Sequence, residues 1–388
     1  MTFVDDNEGF NVLLETVERF VDERLVPNEE RVEQEDAVPA EIIAEMRAMG
    51  LFGLSIPEEY GGLGLSMSQE AQVIRRLGRT SFAFRSVIGT TVGIGSQGIV
   101  MDGTEAQKRE WLPRLATGDA VASFALTEPD AGSDAASLKT SARLDGDHYV
   151  VNGTKRYITN APRASMFTLM ARTDPETPGA AGISAFIVPA GTPGLSFGKP
   201  DKKMGQRGTV TCDVIFEDCR IPADAIIGGV PGQGFRTAMK VLDRGRIHMA
   251  ALATGMCERL LRESVRYAVD RKQFGQEIGK FQLVQGMLAD SKTEAYGALV
   301  MVEDVARRFD AGERVTTEAS CAKYFTTEAL GRIADRAVQI HGGAGYMADY
   351  AVERFYRDVR LLRIYEGTSQ VQQVIIAKAL LREAGLRV

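Results

Sequence analysis

Cysteine and histidine are scarce in this chain: its 388 residues include four cysteines and three histidines. Cys212, Cys219, Cys257 and Cys321 form no C-x-x-C pair, which argues against a zinc framework. So few thiols in so long a chain also argue against a disulfide scaffold. His148, His248 and His341 show no H-E-x-x-H spacing, so no metal site is expected. No apolar run approaches the ~20 residues needed to span a bilayer, so no membrane insertion is expected. No Lys/Arg-rich run occurs, and the net charge of −6 is spread over interleaved signs. Nucleic acid is therefore not the expected partner. The opening residues, Met1 to Asp6, are acidic and match neither a secretory signal nor an Arg-rich transit peptide, so the expected location is cytoplasmic. P-loop and G-x-S-x-G motifs are missing. The one G-x-G-x-x-G match, Gly93 to Gly98, lacks both a preceding strand and a helix opening on its glycines. Close packing through small residues explains it better than a dinucleotide site does.

What is present is an ordinary globular composition, 44% hydrophobic and 25% charged, in a chain long enough for two or three cores. The first ~115 residues carry a helical period. Phe10, Leu13, Leu14, Val17, Phe20, Val21 and Leu25 share one stripe ended by Pro27, and Ile42, Ile43, Met46 and Met49 share another ended by Gly50. From about Val121 short β-branched and aromatic runs alternate with turn signals such as Asn152-Gly153 and Pro193, which predicts an antiparallel sandwich or barrel. Past Gly232 the helical period returns in four long stretches, the pattern of a bundle. The fold class is therefore α+β: an N-terminal all-α domain (1–118), a middle antiparallel β-domain (119–230) and a C-terminal four-helix bundle (231–388).

Five stretches stand out on this plan. "FALTEPDAGSD" leaves a strand into a Pro/Gly/Ser loop, which is either a capped turn or a cradle of N–H and hydroxyl groups for a polar ring edge or anion. "KRYITNA" ends a strand on an aromatic and a Thr-Asn pair, which an edge strand running into an Asx turn would also explain. "VDRKQFGQEIGKFQ" puts Arg271 and Lys272 at the end of a bundle helix, a favourable place for cations on dipole grounds alone. "VQIHGGAGY" places two glycines just past a helix, as ordinary C-capping does. "RLLRIYEGTSQVQQ" sets Glu366 at a helix break. There Thr368 or Ser369 is a natural N-cap, and the acid is either a loop charge in solvent or a delivered functional group.

Together, in this order and spacing, these stretches resemble the acyl-CoA dehydrogenase family over the whole chain. The motifs that carry the resemblance are "LTEPDAGSD", "YITN", "RKQFGQ", "QIHGGAGY" and "YEGTSQ". It implies FAD as cofactor, an acyl-CoA substrate, an electron-transferring flavoprotein as acceptor and a homotetramer. Glu366 matches the catalytic base, which removes the pro-R α-proton while flavin N5 takes the β-hydride. Phe124, Leu126, Thr127, Gly132 and Ser133 match one flavin segment, and Ser133 matches a position that also touches substrate. Tyr157, Ile158 and Thr159 match the second, where many relatives have Trp at the position of Tyr157. Arg271, Gln273, Phe274, Phe281 and Gln282 match the stretch that reaches a neighbouring subunit's FAD, with Arg271 on the pyrophosphate. Gln339, Ile340, Gly342 and Gly343 match the adenosine side, and Thr368 and Gln370 match further FAD contacts. Asp243, Arg246, Tyr365, Gly367 and Lys378 match the substrate side. One branch of the family carries its catalytic acid on an earlier helix, at the position of Gly245 here. "FRS" around Arg85 resembles the glutaryl-CoA branch, where the arginine meets a distal carboxylate; a surface arginine on an amphipathic helix is the plainer reading. The acid that the glutaryl branch carries seven residues earlier is Gly78 here. An acyl carrier protein as carrier, an oxidase or monooxygenase on the same architecture, and a non-catalytic FAD-bound scaffold are the alternatives.

Overall fold

The computed structural model describes residues 8–386. Seven helices come first: α1 (Glu8–Phe20), α2 (Glu29–Glu35), α3 (Ala40–Ala48), α4 (Met67–Leu77), α5 (Phe82–Gly89), α6 (Gln97–Asp102) and α7 (Glu105–Thr117). Pro27 does not end the first helical path. A π turn (Val21–Leu25) and a 3-10 turn (Val26–Asn28) carry the chain through to α2, because proline sits in the first turn of the 3-10 segment, where its missing N–H costs nothing. Phe10, Leu14, Val17, Phe20, Val21 and Leu25 are buried, as the helical stripe requires. A second π turn (Thr90–Gly95) links α5 to α6. It overlaps the Gly93–Gly98 stretch at Gly93–Gly95; α6 opens inside that stretch, contrary to expectation, but no strand precedes those glycines. A Cβ at Gly95 would overlap Ala122 and the Thr90 carbonyl, so the glycine serves close packing.

The sheet runs β1 (Ala122–Ala125), β2 (Ser141–Asp145), β3 (His148–Thr159), β4 (Met166–Arg172), β5 (Ile183–Pro189), β6 (Leu195–Phe197) and β7 (Thr211–Pro222). Its order is β1-β4-β2-β3-β7-β6, with β5 also on β4. Pairing is mainly antiparallel, but β1 lies parallel to β4, and β2 meets the same strand through a parallel bridge between Ser141 and Arg172. β3 pairs with β2 along His148–Asn152 and with β7 over most of its length, so its Lys155–Thr159 end is paired on one side only. Side chains of β4 alternate between two cores. Met166 and Met170 face a cluster with Trp111 and Leu112 of α7, whereas Phe167 and Leu169 face Val214 and Phe216 of β7.

The last part holds α8 (Gly234–Asp270), a hairpin of β8 (Lys272–Gln273) and β9 (Gln276–Glu277), then α9 (Gln282–Asp310), α10 (Thr316–His341), α11 (Ala351–Val359) and α12 (Ser369–Glu383). The sequence period does not foresee the short α11. Arg271 and Lys272 do not end α8 as helical residues: the helix stops at Asp270, and both stand in extended backbone of the hairpin. Alanine- and glycine-rich α8 crosses the N-terminal helices closely. A Cβ at Gly78 would meet the Leu252 carbonyl, and one at Gly255 the Arg75 carbonyl. Among the described residues no helix is long and apolar enough to cross a membrane.

Candidate active site

A cavity of about 390 Å³ opens between α5, α8, the loop after β1, the end of β3 and the turn before α12. That volume lies in the range of small-molecule sites. Of the residues singled out in the sequence, Phe124, Leu126, Thr127, Gly132, Ser133, Tyr157, Ile158, Thr159, Arg85, Arg246, Tyr365, Glu366 and Gly367 line it.

The break before α12 has a backbone reason. Glu366 has φ 52° and Gly367 φ 87°. Two consecutive left-handed residues stop the helical path, and the second position suits glycine because a Cβ there is strained. Thr368 then caps α12, its hydroxyl accepting from the Val371 N–H at 3.1 Å. The capping reading therefore holds for Thr368, but Glu366 is no solvated loop charge. Its Oε2 is out of solvent and has no hydrogen-bond partner. Burial pushes its carboxyl pKa up, against the opposing pull of Arg85, Lys323 and Arg246. Its backbone N–H donates to no described group. On the far side, Gly245 of α8 leaves the space that Oε2 fills, and a Cβ built there would overlap that oxygen. Gly245→Ala is accordingly expected to displace the carboxylate and lower turnover, roughly 10²-fold for a shift near 1 Å, while the cofactor stays bound. Stopped-flow turnover with bound-flavin quantitation checks this.

Several supports were not legible in the motifs. Lys323 of α10 is fully buried, and its Nζ donates to the Gly367 carbonyl at 2.7 Å. Burial brings its pKa down to about 8 even with Glu366 nearby. The signal was a lysine on the stripe of Ala319, Thr326 and Leu330, all buried. Gln372 donates to the Glu366 and Gly367 carbonyls at 3.2 and 3.1 Å. Beneath the Phe124–Ser133 strip, buried Lys155 donates to the Leu126 carbonyl at 3.0 Å and to Glu128 at 2.8 Å. Glu128 also accepts from the Lys139 and Thr140 N–H groups. Asn160 donates to the Ser86 carbonyl at 2.8 Å, tying the end of β3 to α5.

Arg85 is buried at 5% exposure and lines the cavity, which overturns the surface reading. Arg246 bonds Asp243 at 2.5 Å, and Asp243 accepts from Thr316 at 2.7 Å, so Asp243 supports the arginine without lining the cavity itself. Lys378 is exposed on α12, one turn beyond the cavity residue Ile375. Gln370 is exposed off the cavity. The remaining candidates gather elsewhere. Arg271, Gln273 and Phe274 are exposed on the hairpin, Phe281 and Gln282 open α9, and Gln339, Ile340, Gly342 and Gly343 close α10. Ile340 and Phe281 share a small apolar cluster. Phe274 is 93% exposed at the hairpin tip, with φ 52°.

The wall beside Glu366 fits a planar cofactor with a polar edge. Tyr157 projects at 60% exposure from a left-handed bulge in β3, and the space around Gly132 is open.

Three family models match consecutive parts of the chain: acyl-CoA dehydrogenase N-terminal domain at residues 7–119, middle domain at 123–219 and C-terminal domain at 232–381. A 3-(aryl)acrylate reductase of Clostridium sporogenes is 41% identical over 363 residues, covering 94% of this chain and 96% of that protein. Among solved structures, one described as the electron transferring flavoprotein of Acidaminococcus fermentans aligns with TM-score 0.94 at 38% identity over 98% of this chain and 100% of that one. Butyryl-CoA dehydrogenase from Megasphaera elsdenii aligns with TM-score 0.94 at 35% identity, over 98% and 100%.

Proposed function

The chain belongs to the acyl-CoA dehydrogenase family of FAD-dependent oxidoreductases acting on CH–CH bonds, and we propose that it oxidises an acyl-CoA to the 2-enoyl-CoA with Glu366 as base. The observation that carries this reading is Oε2 of Glu366, out of solvent and unpartnered at a left-handed break whose own N–H donates to no described group. FAD, held along Phe124–Ser133 and Tyr157–Thr159, supplies the hydride acceptor when bound. Removing the α-proton of a thioester needs a base close to Cα and donors for the oxygen on which enolate charge grows. Glu366 offers both from one residue: its carboxylate takes the proton, and its backbone N–H is available to the thioester oxygen. Lys323 and Gln372 grip the carbonyls of the same turn, so the base keeps its place through turnover. Anaerobic bleaching of the flavin across a panel of acyl-CoAs tests the reading; bleaching with concomitant enoyl-CoA supports it.

The neighbouring-subunit role of Arg271 accords with its exposed hairpin, whose aromatic tip lacks cover in a single chain. FAD gripped across an interface makes a homotetramer part of the cofactor site. Arg271→Ala is expected to weaken FAD retention and lower the melting temperature of the holoenzyme, since a ligand bound only by the native assembly stabilises it by mass action. Equilibrium dialysis of FAD and thermal scans at fixed FAD measure both. We propose an electron-transferring flavoprotein as acceptor on the family resemblance and on the A. fermentans likeness.

A short, medium or branched saturated acyl chain is the leading substrate. The burial of Arg85 in the cavity favours a second reading, an acyl group with a distal carboxylate. Gly78 lacks the acid of the glutaryl branch, and its contact with α8 leaves no room for one, so the decarboxylation of that branch is not part of this reading. Comparing kcat/KM for glutaryl-CoA with butyryl-, isovaleryl- and octanoyl-CoA decides between them. Loss of a glutaryl preference in Arg85→Ala supports the second reading, and preference for the monoacids in both proteins removes it.

A further inference from the structure

Four charged or titratable side chains form a buried line that ends at the cavity. Arg85 of α5 bonds through Nη2 to Nδ1 of His248 on α8. His248 Nε2 lies 3.1 Å from Oε1 of Glu70 on α4; the pair is off the ideal hydrogen-bond line, yet neither atom has another partner. The other Glu70 oxygen pairs with Arg244 Nη2, and Arg244 Nη1 donates to the Val92 carbonyl at 3.2 Å. Glu70 and His248 are fully buried, and both arginines are 5% exposed. The chain makes room for the line: a Cβ at Gly89 would overlap the Arg85 guanidinium.

The protons in this line are fixed by elementary chemistry. A guanidinium has only N–H groups to offer, so Nδ1 of His248 is the acceptor and the imidazole proton sits on Nε2, facing Glu70. The ring is therefore neutral. Burial and the adjacent Arg85 charge bring its pKa down to about 4, so it stays neutral through the physiological range. The Glu70 charge is matched directly by Arg244. Arg85 thus gains an oriented hydrogen bond but has no carboxylate ion pair of its own among the described residues. Its Nε also lacks a partner. A direct Arg85–Glu70 bridge would have oriented the guanidinium and cancelled its charge together; the interposed imidazole separates the two effects. What remains is an uncancelled buried cation on the cavity wall. The groups it faces are Glu366, whose pKa Arg85 pulls down, and Tyr365, on which Arg85 also acts; Arg246, paired with Asp243, Lys203, which donates to the Thr209 carbonyl, and Asp134 line the same cavity, and Lys323 lies beneath the turn.

We propose that His248, held by Glu70 and Arg244, is a positioning residue that aims Arg85 into the cavity while leaving its charge intact, to act on Glu366 and on a distal anionic group of the substrate. The substrate part rests on the second reading above, and the Glu366 part rests on the base assignment.

The test compares Arg85→Gln, His248→Leu, His248→Asn and the Arg85→Gln/His248→Leu double variant as holoenzymes. Three quantities are read: the acid limb of anaerobic flavin reduction by butyryl-CoA, the kcat/KM ratio of glutaryl-CoA to butyryl-CoA, and the melting temperature. Losing a cation beside a carboxyl raises its pKa, so Arg85→Gln moves the acid limb to higher pH, by about one unit. It also lowers the glutaryl ratio. His248→Leu shifts both quantities in the same direction, and the double variant goes no further than Arg85→Gln alone, the non-additivity expected of residues acting in series. His248→Asn keeps an amide oxygen for Arg85 and restores part of each shift, and it also carries the test if the leucine variant fails to fold. His248 variants that melt lower but keep the wild-type limb and ratio would overturn the proposal, as would shifts that add to those of Arg85→Gln. If Arg85→Gln itself moves the limb but not the ratio, the distal-anion reading is wrong and the Glu366 part stands. If it moves neither, the role of Arg85 is wrong and the relay fails with it.

Discussion

Glu366→Gln holoenzyme is expected to keep its yellow flavin, bind acyl-CoA and lose flavin reduction by roughly 10²–10⁴, the range for removing a general base, or more. The substitution keeps shape and hydrogen-bonding capacity and removes only basicity. Because the native carboxyl pKa is raised by burial, the native state holds this proton more tightly than the unfolded chain does. Two signs follow. Wild-type reduction rises with pH as Glu366 deprotonates, through a limb above the ordinary carboxylate range. The stability contribution runs the other way: as pH rises from the unfolded pKa through the raised folded one, native Glu366 becomes a desolvated anion and stability falls. Glu366→Gln is therefore expected to melt no lower than wild type at neutral pH, and higher if the cost of the buried anion dominates. Stopped-flow reduction over a pH series and thermal scans of the same proteins check both signs.

The largest stability loss is expected from Glu29→Ala. Glu29 is 5% exposed on α2 and accepts from Arg259 of α8 through both oxygens, at 3.0 and 3.1 Å. It also accepts from Arg354 of α11 at 2.7 Å and from Thr80 at 2.8 Å. One carboxylate thus ties the N-terminal helices to two helices of the C-terminal part. Removing it leaves two buried guanidinium groups facing one another, and breaking a buried ion pair from one side costs about 3–5 kcal/mol. Arg259 keeps Glu263 as a partner at 2.6 Å, which places the expectation toward the lower end. Denaturant unfolding measures it. Arg259 and Arg354 replaced together with Glu29 by apolar residues should recover much of the loss, because the penalty arises from unpaired charge rather than from a missing attraction.

Elements with a clean period were readable in the sequence, and so were residues that chemistry ties to a motif. The long α8, α9 and α10 follow from helical stripes that packing then uses, whereas Asn152-Gly153, expected as a turn, lies inside the continuous, bulged strand β3. The Glu366-Gly367-Thr368 step was readable as a helix stop and cap because the glycine and the hydroxyl each have a local reason to be there. The π turn after α5, the hidden Arg85 and the Glu70–His248–Arg244 line were not. Each depends on which residues face each other across α4, α5 and α8, and a linear period gives a face without naming its partner. Helical stripes also mark buried positions as apolar, so charged members such as Lys323 and Glu70 read as surface until their partners are seen. The parallel β1–β4 pair was hidden for a related reason: strand order is long-range information, whereas turn signals are local. Arg271 and Phe274 belong to a third class, since a single chain leaves them on the surface whatever their role.

The central claim is a base-assisted α,β-dehydrogenation at this cavity. Its most direct test is one anaerobic turnover of wild-type holoenzyme with a limiting amount of its best acyl-CoA, with bleached flavin and 2-enoyl-CoA both quantified, and the same mixture run with Glu366→Gln. One enoyl-CoA per flavin bleached is expected in the wild type, and neither in the variant on the same timescale despite bound thioester. Equal bleaching in both proteins would contradict it, as would wild-type flavin that no bound acyl-CoA in the panel reduces.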